Sequence, residues 1–175
     1  MNVSTSSQTK AFFQNYLAPY LSTSISSSGL KLSDLGYETP IKRSDGQVYT
    51  SLDKEAYRVV LNNGVVLPAF TSRYFNSTNG NKLYTTVVVL VDVNGPKKPN
   101  VFGKDIFQFA ISLLGDGSIA MNGETKNYFK NNAYAYPVVS TKRELIDECK
   151  NTGYHCGALI KQNGWKVPDD YPLHI

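Results

Sequence analysis

The chain has 175 residues and a formal net charge of +4, with 41% hydrophobic and 18% charged residues. That length fits one domain able to bury roughly two-thirds of its unfolded surface, and the charged fraction lies below the roughly 25% of an average soluble domain. The Lys and Arg residues are scattered and form no phosphate-tracking stripe, which sets nucleic-acid binding aside. In place of charge the chain is rich in Ser, Thr, Asn, Gly and Tyr, with 12 Tyr, a surface suited to the outside of cells and to interfaces.

Met1 is followed at once by Asn-Val-Ser-Thr-Ser-Ser, with no basic or apolar export region, and no stretch reads as a membrane span. The expectation is that any exporting segment has been cut away, leaving a trimmed chain. Residues 7–25 give the best helix candidate. Phe13, Leu17, Leu21 and Ile25 recur every four residues beside Phe12, Tyr16 and Tyr20, so one wide face is apolar. Pro19 predicts a kink or a new turn inside it, and the Ser-Ser-Ser-Gly run at 26–29 ends the helical region 7–27.

Residues 30–49 read as irregular, with turn signals at Thr39-Pro40 and Ser44-Asp45-Gly46. Residues 56–61 read as a strand. Asn62-Asn63-Gly64 then turns the chain, and residues 65–70 return as its partner. A polar turn at 76–81 leads to residues 84–91, the most β-branched run in the chain, with the length of a central strand. Residues 106–109 alternate as a further strand, and a turn at 114–118 leads into residues 119–121. The reading is α+β: a helix on an antiparallel meander of about four or five strands spanning 55–121.

Residues 122–139 are polar and aromatic with weak periodicity. Ser140 or Thr141 can cap a helix over 142–150, which delivers Cys149. Residues 157–160 read as a short strand or buried turn, and the tail from Trp165 to Pro172 is too Pro-rich for a central strand. No internal repeat or linker divides the chain, so 1–175 is one domain closed by a disulfide loop and tail over 140–175.

Between the two best strands lies the most characteristic segment, the loop 92–105. Asp92, Asn94, Asn100 and Asp105 offer side-chain oxygens, and the turns among Gly95, Pro96, Pro99 and Gly103 expose carbonyls. Calcium prefers such a set. The spacing is not that of an EF-hand, and Lys97 and Lys98 lie among the ligands. The competing reading is that Asp92 and Asn94 cap turn amides while Asp105 pairs with a lysine or a backbone N–H.

Cys149 and Cys156 are the only cysteines. One pair in such a chain points to a disulfide in an oxidising compartment, the alternative being two free cytosolic thiols. Two Cys and one adjacent His are too few ligands for zinc. His155 beside Cys156 is no nucleophile–base pair, because neighbours on extended backbone project apart. The acid pairs Asp147-Glu148 and Asp169-Asp170 are likewise adjacent rather than facing. No phosphate loop or dinucleotide fingerprint is present, and the expectation is that this is not an enzyme. Trp165 with Pro168, Tyr171 and Pro172 reads either as a recognition surface or as cover for a sheet edge.

Three stretches of sequence resemble the globular heads of type IV pilins and pseudopilins, proteins that carry a prepilin-type methylation segment. The run from Asp92 through Asn94-Gly95, Pro99-Asn100 and Gly103 to Asp105 and Phe107 looks like their Asp-x-Asn-Gly…Pro-Asn…Gly-x-Asp-x-Phe loop. The run from Cys156 through Asn163-Gly164-Trp165 and Pro168 to Tyr171-Pro172 looks like their C-terminal ending, and Asn63-Gly64 like their short hairpin. The basic leader, the peptidase site and the long apolar helix of that family are absent; residues 7–25 would be the lower half of the helix. The resemblance implies a minor pilin or pseudopilin head in a type IV pilus or type II secretion-like filament. Its partners would be other pilin subunits, met through the absent helix. The full-length protein would be anchored in the membrane before assembly and then lie in the periplasm, at the cell surface or outside. The alternative is a secreted adhesion module for a glycan or surface protein, with calcium assistance.

Overall fold

A computed structural model of the chain describes residues 5–52, 54–76, 83–113, 119–121 and 142–174. The first helix, α1, is Ser6–Tyr16. Thr5 starts it with a reciprocal cap: its Oγ1 accepts the Gln8 N–H, and its own N–H donates to Gln8 Oε1, each at 3.3 Å. The helix is shorter than the 7–27 expected. Pro19 lacks an N–H and disfavours helical backbone at the residue before it, so the chain passes through a 3-10 turn, Ala18–Tyr20. It then extends as β1, Thr23–Leu30, where Thr23 and Ile25 pair with Leu61 and Val60. Leu21 and Ile25 thus continue the four-residue spacing without continuing the helix.

The remaining strands are β2 (Ala56–Leu61), β3 (Val66–Leu67), β4 (Phe70–Asn76), β5 (Leu83–Asp92), β6 (Ile106–Leu113) and β7 (Ile119–Met121). All pair antiparallel in the order β1-β2-β3-β5-β6-β7, with β4 also beside β5. The return strand is split at Pro68: Val66 and Leu67 pair with β2, whereas from Phe70 onward the pairing is with β5 alone. Among the described residues, counting β3 and β4 as one interrupted run gives five runs over 55–121, within the four or five of the expected meander, and β1 adds a sixth that begins in residues expected to be helical. The helices α2 (Lys142–Thr152) and α3 (Cys156–Gln162) close the chain. Helix α3 corrects the strand or turn expected at 157–160. Of the turn expected at 76–81, Asn76 ends β4; the rest of it, the turn at 114–118, the segment 122–139 and the capping residues Ser140 and Thr141 lie outside the described residues.

Alternation along β5 divides the core. Val87 and Val89 pack with Phe12 and Phe13 of α1 and with Tyr57, Val59 and Phe70. Leu90 faces the other way, toward Leu32, Tyr37, Ile41 and Leu52 of the irregular segment 31–52. Val89 is opposite Phe109 on β6, and Phe109 lies beneath α3. The helices therefore share one face and the irregular segment covers the other. A sheet buried on both faces accounts for the unbroken apolar run in β5. No described helix is long and apolar enough to cross a membrane.

Candidate functional site

The loop 92–105 leaves the end of β5 and re-enters the sheet at β6, where Asp92 and Ile106 are cross-strand partners. Its two acids are buried, and each is engaged by the chain itself. Asp105 accepts the Asn100 N–H on Oδ2 and the Val101 N–H on Oδ1, both at 2.7 Å. Asp92 accepts the Tyr37 hydroxyl on Oδ2 at 2.6 Å and the Asn94 N–H on Oδ1 at 3.2 Å. Burial pushes the Asp92 carboxyl up to about 6, although the Tyr37 hydroxyl and the Asn94 amide favour its ionised form. Burial and the same carboxylate together raise the Tyr37 hydroxyl above its ordinary value.

Asn100 sits at φ 55, a left-handed conformation that Asn tolerates better than most residues. Its Nδ2 donates to Thr39 Oγ1 at 3.2 Å. The peptide bond from Lys98 to Pro99 is cis.

The four oxygen-bearing residues thus fall into two hydrogen-bonded groups. Asp92 is joined with Asn94 and Tyr37, and Asp105 with Asn100 and the Val101 amide. This is turn chemistry, in which carboxylates replace missing backbone acceptors. Two amide oxygens, Asn94 Oδ1 and Asn100 Oδ1, are buried with no hydrogen-bond partner among the described residues. No group of three or more His, Cys, Asp or Glu with metal-holding geometry occurs among the described residues.

Cys149 and Cys156 form a disulfide joining α2 to α3, so the Cys156 sulfur is held in that bridge. His155 is buried, which lowers its imidazole to about 4. The three stretches singled out in the sequence come into contact at glycines. A Cβ built on Gly95 would lie 2.9 Å from the Gly64 carbonyl oxygen, and one on Gly103 would lie 2.5 Å from the Cys156 sulfur. Both glycines also have positive φ. The Tyr171 hydroxyl donates to the Gly103 carbonyl at 2.5 Å, tying the tail to the same loop. Trp165, in contrast, is 61% exposed and left-handed at φ 64, with its ring 5.9 Å from Phe109.

Tyr37 and Arg58 are missed by sequence reasoning. Arg58 is fully buried on β2 and donates to four carbonyls, those of Leu30, Leu52 and Lys54 at 2.8 Å each and that of Pro68. It binds β1, the segment after residue 49 and the split return strand together. Neither role is signalled locally, because Tyr37 meets Asp92 55 positions away and Arg58 gathers Leu30 and Pro68, 28 and 10 positions away, beside its nearer partners.

The chain belongs to a family of unknown function (DUF6613), whose model matches residues 1–175. No curated protein and no solved structure matches it. The pilin resemblance rests on the chain's own residues.

Proposed function

We propose that this DUF6613 member is a structural subunit, the head domain of a minor pilin or pseudopilin in a type IV pilus or type II secretion-like filament. It acts by assembly and surface contact rather than by catalysis. The observation that carries the reading is the contact among the three resembling stretches: hairpin to loop at Gly64 and Gly95, and loop to C-terminal ending at Gly103 and Cys156. Helix α1, packed on the sheet through Phe12 and Phe13, supports it by offering a place from which a longer apolar helix would continue. Such a helix would need about 20 apolar residues to span a bilayer. The test is to shear surface filaments from cells making the full-length protein and probe them with antibody to this domain. Co-sedimentation with the filaments is expected. Recovery solely as a freely secreted monomer would overturn the proposal.

A second reading, a secreted adhesion module for a glycan or surface protein, is favoured by Trp165. A bulky residue in the left-handed region costs about 1–2 kcal/mol, and strain of this kind collects at contact sites. Calcium assistance would use Asn94 Oδ1 and Asn100 Oδ1. Glycan-array binding that disappears in Trp165→Ala, with no filament association, would select this reading.

A further inference from the structure

The loop 92–105 holds its two acids inside and turns its lysines outward. Asp92 and Asp105 are buried and engaged by the chain's own donors, whereas Lys97 and Lys98 are exposed and Lys104 is half-buried. The outer side of the loop therefore carries positive charge alone. Lys42 extends it, because its segment runs beside Val101: Lys42 donates its N–H to the Asn100 carbonyl at 2.9 Å, and its carbonyl accepts the Phe102 N–H at 2.8 Å. None of these lysines is in an ion pair among the described residues. On the adjoining segment Arg43 is neutralised by Asp45 at 2.7 Å, and the exposed acids Asp34 and Glu38 leave the positive charge in excess. Two exposed apolar side chains stand among the lysines. Val93, in the loop, is 48% exposed, and Val48, the bridge partner of Lys42, is 44% exposed.

We propose that this end of the domain docks on an anionic lipid surface, with Lys42, Lys97, Lys98 and Lys104 over the headgroups and Val48 and Val93 pressed among them. Charge complementarity selects an anionic partner, since each lysine near such a surface adds an attraction that salt screens. The valines select lipid over a wholly polar polyanion, because interfacial binding adds buried apolar area to the electrostatic attraction. The direction of the chain agrees. Phe13 packs on Tyr57, and the Ser22 carbonyl accepts the Asn62 N–H at 3.0 Å. Helix α1 and the turn after it thus advance along β2 toward the hairpin that meets Gly95. A longer helix preceding Ser6 would leave from the opposite end, and the lysines would face away from its anchor. In naming what is touched, the inference rests on the surface-contact part of the proposed function. Vesicle binding and filament co-sedimentation are separate readouts, so either can fail alone.

The test is co-sedimentation of the unmodified chain with vesicles of phosphatidylcholine, with and without phosphatidylglycerol, over a range of salt. Pelleting with the anionic vesicles alone is expected, falling as salt rises. Lys97→Glu/Lys98→Glu reverses two exposed charges and should weaken partitioning at least about tenfold. The matched reversal Lys10→Glu/Lys54→Glu, at exposed positions outside this patch, should leave partitioning within about twofold, since salt screens charges that distant. Val93→Ser should weaken vesicle binding without changing its salt dependence. No pelleting, equal pelleting with neutral vesicles, or equal losses in the two charge variants would each overturn the proposal. So would undiminished vesicle binding in Val93→Ser together with equally tight binding of duplex DNA, which would assign the patch to polyanions in general.

Discussion

The Tyr37 hydroxyl donates to Asp92 Oδ2 at 2.6 Å, joining the irregular segment to the end of β5 where both side chains are buried. A hydrogen bond to a charged group contributes about 1.5–3 kcal/mol. Tyr37→Phe should therefore cost roughly that much at pH 7 by denaturant unfolding, and the Asp92 carboxyl should titrate higher in its NMR spectrum. An unchanged titration would show that the bond does not hold the ionised carboxylate.

Two buried groups give the pH dependence opposite signs. Asp92 titrates near 6 when folded, above its ordinary 3.8, so its contribution is full below about 4 and is lost as pH rises through 6. His155 is depressed to about 4 from 6.5, so its contribution is full above 6.5 and is lost as pH falls toward 4. The two slopes oppose each other between about 4 and 6. Asp92→Asn should expose the His155 slope, giving a protein that loses stability on acidification through this window more steeply than the parent. Denaturant midpoints at pH 4.5 and 6.5 check it, and a variant with the parent's slope would contradict the assignment.

Much of the fold was legible in the sequence where the information is local. The run Val87-Val88-Val89-Leu90 announced a central strand, and Asn63-Gly64 a hairpin. For Asp105 the sequence left open a lysine or a backbone N–H as partner, and it takes two backbone N–H groups, four and five positions away. What failed was long-range. The Ser-rich β1 carries little strand signal of its own and exists because β2 offers it a ladder. Helix α3 was hidden because Gly157, a poor helix former, is there for a different reason: a Cβ would meet the Gln108 carbonyl and the Phe109 ring at 3.0 Å. Tyr37 acts on Asp92, 55 positions away, and Arg58 adds Leu30 and Pro68, 28 and 10 positions away, to its nearer partners Leu52 and Lys54.

The contacts at glycine make a paired prediction. In Gly103→Ala the new methyl meets the Cys156 sulfur and Leu173 at 2.5 and 2.6 Å, on backbone at φ 82. Strain and overpacking together should cost about 3 kcal/mol or more. Gly64→Ala has φ 87 and open space around the methyl, so backbone conformation alone should cost about 1–2 kcal/mol. Thermal unfolding of the two variants compares them, and equal losses would mean that the Gly103 contact is not tight.

The disulfide closes a loop of sequence separation 7, for which loop entropy gives about 2–3 kcal/mol. The double variant Cys149→Ser/Cys156→Ser should lose about that much stability. A thiol titration of the parent, denatured without reductant, should find no free thiol. Two titratable thiols would remove the bridge and the argument for export drawn from it.

The central claim is that the chain itself holds the loop 92–105, with Asp105 as its internal acceptor, so that the loop works as scaffold. The most direct measurement is hydrogen exchange at the Asn100 and Val101 amides, with calcium and with chelator. Equal protection in both conditions is predicted, lost in Asp105→Ala, which removes both acceptor oxygens. Protection that appears with calcium and disappears with chelator would contradict the claim and make the loop a metal site.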